Sequence, residues 1–149
     1  MGRIWDEGTD VGERAWRTAT MELMAAYGPL VMEHFENPRN AGEMEAPDGE
    51  ATTSNPVCGD RMRVMIRVEG ERIGEVRWLT RGCPPAIATS SFASEMVRGW
   101  TLEAIDGLTR EAIATAIGGL PRDKVHCSVL AADALKAAVA DYRRRAAGP

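Results

Sequence analysis

The stretch Cys58–Cys83, CGDRMRVMIRVEGERIGEVRWLTRGC, decides the fold. Within it Met62, Val64, Ile66 and Val68 alternate with Arg61, Arg63, Arg67 and Glu69, the period-two pattern of a half-buried strand. Met65 is the one exception. Glu69-Gly70-Glu71-Arg72 turns the chain, and Ile73 to Arg81 reads as a second strand with Val76 and Trp78 on one face. So short a connection predicts an antiparallel hairpin. Cys58 and Asp60 enter its first strand and Gly82-Cys83 leaves its second. The hairpin therefore predicts that Cys58, Asp60 and Cys83 meet at one end of the sheet.

Upstream, Ala51 to Thr53 reads as the start of an edge strand, after a Pro47-Asp48-Gly49 turn. Pro29 is well placed to open a helix over Pro29–Glu36, which Asn37-Pro38 ends. Another helix is expected over Val11–Ala26, with Trp16, Ala19 and Leu23 at helical spacing. Downstream, Pro84-Pro85 fits only a first helical turn, and that helix closes near Arg98-Gly99. Thr101 and Thr109 cap short helices over Leu102–Asp106 and Arg110–Ile117. After Gly118-Gly119 and Pro121, a last helix runs from about Lys124 to Arg145. Its Ala131, Leu135, Ala138 and Tyr142 share a face. Helices, a hairpin and helices in that order predict an α+β domain with helices packed on a small antiparallel three-stranded sheet. Residues 1–26 read as a partly helical N-terminal extension and residues 27–149 as the domain.

The chain has 149 residues, enough for a core without staples, and its apolar and charged shares are those of an ordinary globular protein. A net charge of −4 argues against nucleic acid as the main partner. Three cysteines cannot form a closed disulfide set. Residues 1–10 hold no apolar run like that of a secretory signal, and no run approaches membrane-span length. The expectation is a reducing cytoplasm, where such cysteines bind metals or react rather than bridge.

Cys58, Cys83 and Cys127 all fall at element boundaries, with Asp60 and His126 beside them. Thiolate, imidazole and carboxylate are the ligands of zinc and iron–sulfur centres, which usually take four. Cys83 and Cys127 both precede or open a helix, where a thiol ionises more easily. Neighbours on a helix point about 100° apart, so His126 is a poor general base for Cys127, and a Cys–His hydrolase is disfavoured. A zinc-bound sulfur-transfer protein and an inert interaction module remain as readings of the same residues. His34 reads as structural or solvent-facing.

At these residues the chain resembles the scaffold proteins of iron–sulfur cluster assembly, IscU and the N-terminal domain of NifU. The resemblance lies in Tyr27–Gly42 with its Asn37-Pro38-Arg39-Asn40 stop, in Cys58-Gly59-Asp60, and in Gly82-Cys83 with Ala86-Ile87-Ala88 and Ser90-Ser91. It continues in Leu120-Pro121, Lys124 and His126-Cys127-Ser128. It implies an IscU/NifU-like (SufE/IscU-type) architecture and an assembly scaffold rather than a turnover enzyme. Cys58, Asp60, Cys83, His126 and Cys127 would bind Fe2+, Zn2+ or a transient 2Fe–2S cluster, and Cys127 would take persulfide sulfur from a cysteine desulfurase of the IscS/NifS type. Apo iron–sulfur proteins would receive the cluster, and a homodimer is left open.

Leu120, Pro121 and Lys124 match the family's partner-binding Leu-Pro-Pro-Val-Lys loop, but Arg122-Asp123 departs from it, which argues against a dedicated Hsp70-type chaperone. The alternative within the resemblance is a zinc-bound, SufU-like sulfur shuttle. His126 and the 43 residues between Cys83 and Cys127 favour the scaffold.

Overall fold

A computed structural model describes residues 27–56 and 59–148. The helix expected over Val11–Ala26 lies outside them, as does Cys58. Three strands, β1 (Gly49–Ser54), β2 (Arg61–Glu69) and β3 (Arg72–Arg81), form one antiparallel sheet in the order β1-β2-β3. Five α-helices are described: α1 (Pro29–Glu36), α2 (Pro84–Met96), α3 (Leu102–Asp106), α4 (Arg110–Ala116) and α5 (His126–Ala147). A single 3-10 turn, Arg122–Lys124, leads into α5. The α+β reading with a three-stranded antiparallel sheet holds.

The β2–β3 hairpin turns on two residues, Gly70 and Glu71, with φ of +57° and +64°. Positive φ at both centres gives a turn whose twist matches that of the strands. Val68 and Ile73 stay in phase through a register shift between Arg67 and Val68. The expected alternation then holds: Met62, Val64, Ile66, Ile73, Val76 and Trp78 are buried on the helical side.

Met65 differs. It lies on the opposite face yet is completely buried. The segment leading into β1 crosses that face. Arg67, two residues on, donates to the carbonyls of Glu45 and Ala46. Asn40 and Ala41 also run beside β3, where Trp78 N–H donates to Asn40 O and Gly42 N–H to Trp78 O. A residue read as an exception is thus the core of a small second layer.

The last helix carries much of the site, and its docking is well anchored. Leu130, Leu135 and Val139 are buried with Ala131, Ala134 and Ala138. At ~1.5–3 kcal/mol per large side chain, the three non-alanine residues alone contribute roughly 5–9 kcal/mol of burial, as an upper estimate. The small residues let α5 approach β1 closely; a side chain at Gly49 would overlap the Ala138 carbonyl and the Tyr142 backbone. Asp141, on the same helix, accepts the Glu50 N–H at 3.0 Å and ties the helix to the edge strand.

His34 on α1 is buried and structural. Its Nδ1 lies 2.7 Å from the Ser91 hydroxyl on α2, and its ring meets Phe92 edge-on at 5.3 Å. The same hydroxyl accepts the Arg39 N–H at 2.9 Å, so one serine fixes both α1 and the stop that follows it.

Candidate functional site

Strand pairing brings the first two pieces together. Arg61 faces Arg81 across β2 and β3, so Asp60 and Cys83 are neighbours just beyond the sheet's end. Asp60 Oδ2 lies 3.4 Å from Cys83 Sγ. Asp60 shares the buried face of Met62, and only 5% of it is exposed. Gly59 stands before it at φ +77° and donates its N–H to Asn55 O at 2.7 Å. That is a backbone conformation L-residues rarely adopt, so glycine is required there.

Gly82 has a separate reason. A Cβ there would stand 2.7 Å from both Cγ and Oδ1 of Asp60. The absence of that side chain is what lets the carboxyl group sit beside Cys83. The sequence signal for this was present in Gly82-Cys83, but only the fold shows what the glycine touches.

Cys83 is the N-cap of α2, and its carbonyl accepts from the N–H groups of Ala86 and Ile87. Cys127 lies at the start of α5, fully buried, with Sγ 3.6 Å from that of Cys83. The Thr89 hydroxyl, within reach of the Cys127 carbonyl at 3.4 Å, links the two helices at this point. His126 completes the group. Ligand atoms of Asp60, His126 and Cys127 all lie within 4.8 Å of one another. The Nε2 of His126 is buried and has no hydrogen-bond partner among the described residues. A buried polar atom without a partner is costly unless something fills the place.

The structure therefore gathers four of the five expected ligands, Asp60, Cys83, His126 and Cys127; Cys58 is outside the described residues. Both thiols were expected to ionise readily. They do not behave alike. The S–H of Cys127 bonds to the Cys83 sulfur and pulls the Cys83 thiol down to about 7, helped by the Ala86 N–H and opposed by burial and by Asp60. The same bond, with burial and the negative charges of Cys83 and Asp60, pushes the Cys127 thiol far up, against a small opposing pull from Lys124. Two thiolates and a carboxylate cannot crowd together without a cation. A metal ion that displaces the shared proton would relieve that repulsion and take the unpartnered imidazole, and the donor set fits a metal of the zinc or iron type.

The expected partner-binding residues have local roles as well. Leu120 packs against the small cluster of Val31, Ala88 and Ile117. Pro121 precedes the 3-10 turn. Lys124 lies near enough to Cys83 for the thiolate to raise its ammonium above the usual lysine range.

Fold and site together define a class: an α+β protein with two thiols, a carboxylate and an imidazole gathered at one end of a small sheet, a donor set made for a cation. The chain belongs to the NifU-like N terminal domain family, which matches residues 26–148. It is 52% identical over 119 residues to iron-sulfur cluster assembly scaffold protein IscU 1 of Archaeoglobus fulgidus, covering 80% of this chain and 78% of that one. It is 45% identical over 124 residues to iron-sulfur cluster assembly scaffold protein IscU of Azotobacter vinelandii, covering 80% and 96%. Among solved structures, the N-terminal NifU-like protein of Brucella abortus matches with a TM-score of 0.66 at 18% identity, covering 83% of this chain and 98% of that one. This last likeness concerns the fold alone. No described helix is long and apolar enough to cross a membrane.

Proposed function

We propose that this chain is a scaffold on which iron–sulfur clusters are assembled and from which they are passed on. The observation that carries the reading is the convergence of Asp60, Cys83, His126 and Cys127, with the His126 Nε2 left unpartnered among the described residues. Its support from relatives is the name shared by proteins that are 52% and 45% identical to it.

In this proposal the metal ion and the sulfur are cargo. Iron, as Fe2+, enters among Asp60, Cys83, His126 and Cys127, with Cys58 as a further thiolate. Zn2+ competes for the same donors. Sulfur comes from the persulfide of a cysteine desulfurase. The acceptor thiolate attacks the outer sulfur, the donor's S–S bond breaks, and the donor's cysteine leaves as a thiolate. Cys127 is the proposed acceptor, since metal binding removes the proton that its burial and Cys83 hold in place. Reducing that sulfur to sulfide consumes two electrons from an external donor. A 2Fe–2S cluster so formed passes to apo iron–sulfur proteins.

Asp60 makes this transfer favourable. Oxygen is a poorer match than a fourth thiolate for iron–sulfur chemistry, so its ligation is the weak one. Asp60→Ala is expected to retain a reconstituted cluster longer and to transfer it to an apo-acceptor more slowly than the wild type. Equal transfer rates remove that role from Asp60.

A further inference from the structure

The outer face of the sheet carries five arginines, Arg61, Arg63, Arg67, Arg77 and Arg81. Three are matched. Arg63 lies 3.5 Å from both Glu43 and Glu50, Arg67 is 3.8 Å from Glu75, and Arg77 is 3.0 Å from Glu75. Arg61 and Arg81 have no carboxylate within ion-pair reach among the described residues, and both are exposed. They are also direct cross-strand partners. Like charges placed opposite one another on a sheet repel, so this pair costs stability unless an anion spans it. With Thr52, Arg63, Leu79 and Thr80 the two line a shallow groove of about 350 Å³. Leu79 is one of two large apolar side chains left exposed among the described residues.

The chain itself holds a matching piece. Ile4–Glu13 reads Ile-Trp-Asp-Glu-Gly-Thr-Asp-Val-Gly-Glu, with four carboxylates (Asp6, Glu7, Asp10, Glu13) and no cation. Trp5 offers an apolar and π surface suited to an exposed leucine rimmed by arginines. Reach is not limiting. Tyr27, where the described chain begins, is close enough to Cys83, Lys124 and Cys127 for their charges to act on its phenol. Arg81 is two residues from Cys83 along the chain. Residues 14–26 span roughly 20 Å even as a continuous helix, and more if extended.

We propose that the groove of Arg61, Arg81 and Leu79 is the seat of the chain's own acidic segment Ile4–Glu13. Tethering raises the segment's local concentration to the millimolar range, so several weak exposed ion pairs suffice to seat it. The seat adjoins Asp60 and Cys83 along both strands, so the docked segment stands at the rim of the thiolate site. Salt or a competing acidic surface releases it.

The test uses the full chain, without metal, followed by amide NMR. Neutralising the segment (Asp6→Asn, Glu7→Gln, Asp10→Asn and Glu13→Gln together) is expected to shift the amides of residues 61–63 and 79–81. Arg61→Gln with Arg81→Gln is expected to shift those of residues 4–13. Combining both sets adds nothing further, while unmoved Ile66 and Val76 amides show that the fold is intact. A synthetic Ile4–Glu13 peptide should bind the segment-neutralised chain at least tenfold more tightly than the wild type, whose groove is already filled. Equal peptide binding by the two overturns the proposal, as does silence at residues 61–63 and 79–81. Shifts that vanish on dilution also overturn it, because they assign the contact to a second copy.

Discussion

The two thiols at the site share one proton, and this can be read directly from Cys83. Its thiol is pulled down to about 7 by the Cys127 S–H 3.6 Å away. An ordinary cysteine ionises near ~8.5. At pH 7 Cys83 is then half thiolate against ~3% for an ordinary thiol, a gain of roughly 16-fold. The lower basicity takes back about fivefold over 1.5 units, leaving an alkylation rate about threefold above that of a free cysteine. The perturbation is Cys127→Ala, which removes the donor. The assay is iodoacetamide alkylation of metal-free protein from pH 5.5 to 9.5, with Cys83 followed by peptide mapping. In the wild type the Cys83 inflection is expected near 7, and Cys127 is expected to remain unmodified in the same range. In the variant the Cys83 inflection moves up toward ~8.5. A wild-type inflection already near 8.5, or one that Cys127→Ala leaves in place, would falsify the shared-proton account.

Further predictions follow from single residues. Gly82→Ala forces the Asp60 carboxyl group away from Cys83, because the new Cβ would lie 2.7 Å from its Cγ. Affinity for Co2+ or Zn2+ is expected to fall about 10–100-fold, as when a supporting residue of a metal site is lost, with thermal unfolding little changed. Met65→Ala is expected to cost ~2–5 kcal/mol in denaturant unfolding, where a surface substitution would cost under ~0.5. Glu71→Gly relieves a non-glycine residue at φ +64° and is expected to stabilise the fold by about 1 kcal/mol, seen as a rise in Tm. In metal-free protein the sign of the pH dependence follows the two thiols. Cys83 is lowered, so its contribution grows as pH rises from about 7 towards 9. Cys127 is raised, so its contribution is present below its unfolded value and is lost as pH climbs above that.

Much of this was legible in the sequence because the relevant signals are local. The alternation Met62–Val68 fixed a strand, Pro29 and Pro84 fixed helix starts, and Thr101 and Thr109 cap as expected, each accepting the N–H three residues on at 3.1 Å. The site followed from topology: a two-residue turn makes Asp60 and Cys83 meet whatever else the chain does. What was not legible depends on contacts distant in sequence. Met65 broke the alternation because residues 40–48 cover the outer face, which no local pattern reports. Asp141 bonds the Glu50 N–H of β1, a partner 91 residues away in sequence. The contrast between Cys83 and Cys127 arises from their 3.6 Å separation and unequal burial. Two helix N-termini look alike in sequence; the proton they share does not appear there.

The central claim is that the thiolate site builds and releases a cluster. Anaerobic incubation of the metal-free chain with Fe2+, cysteine, a cysteine desulfurase and a reductant, followed by visible spectroscopy and addition of an apo iron–sulfur protein, tests it most directly. Visible sulfur-to-iron absorbance is expected to develop on this chain and then to move to the acceptor. Persulfide on a cysteine with bound zinc, no visible absorbance and no transfer would contradict it and leave a sulfur shuttle in its place.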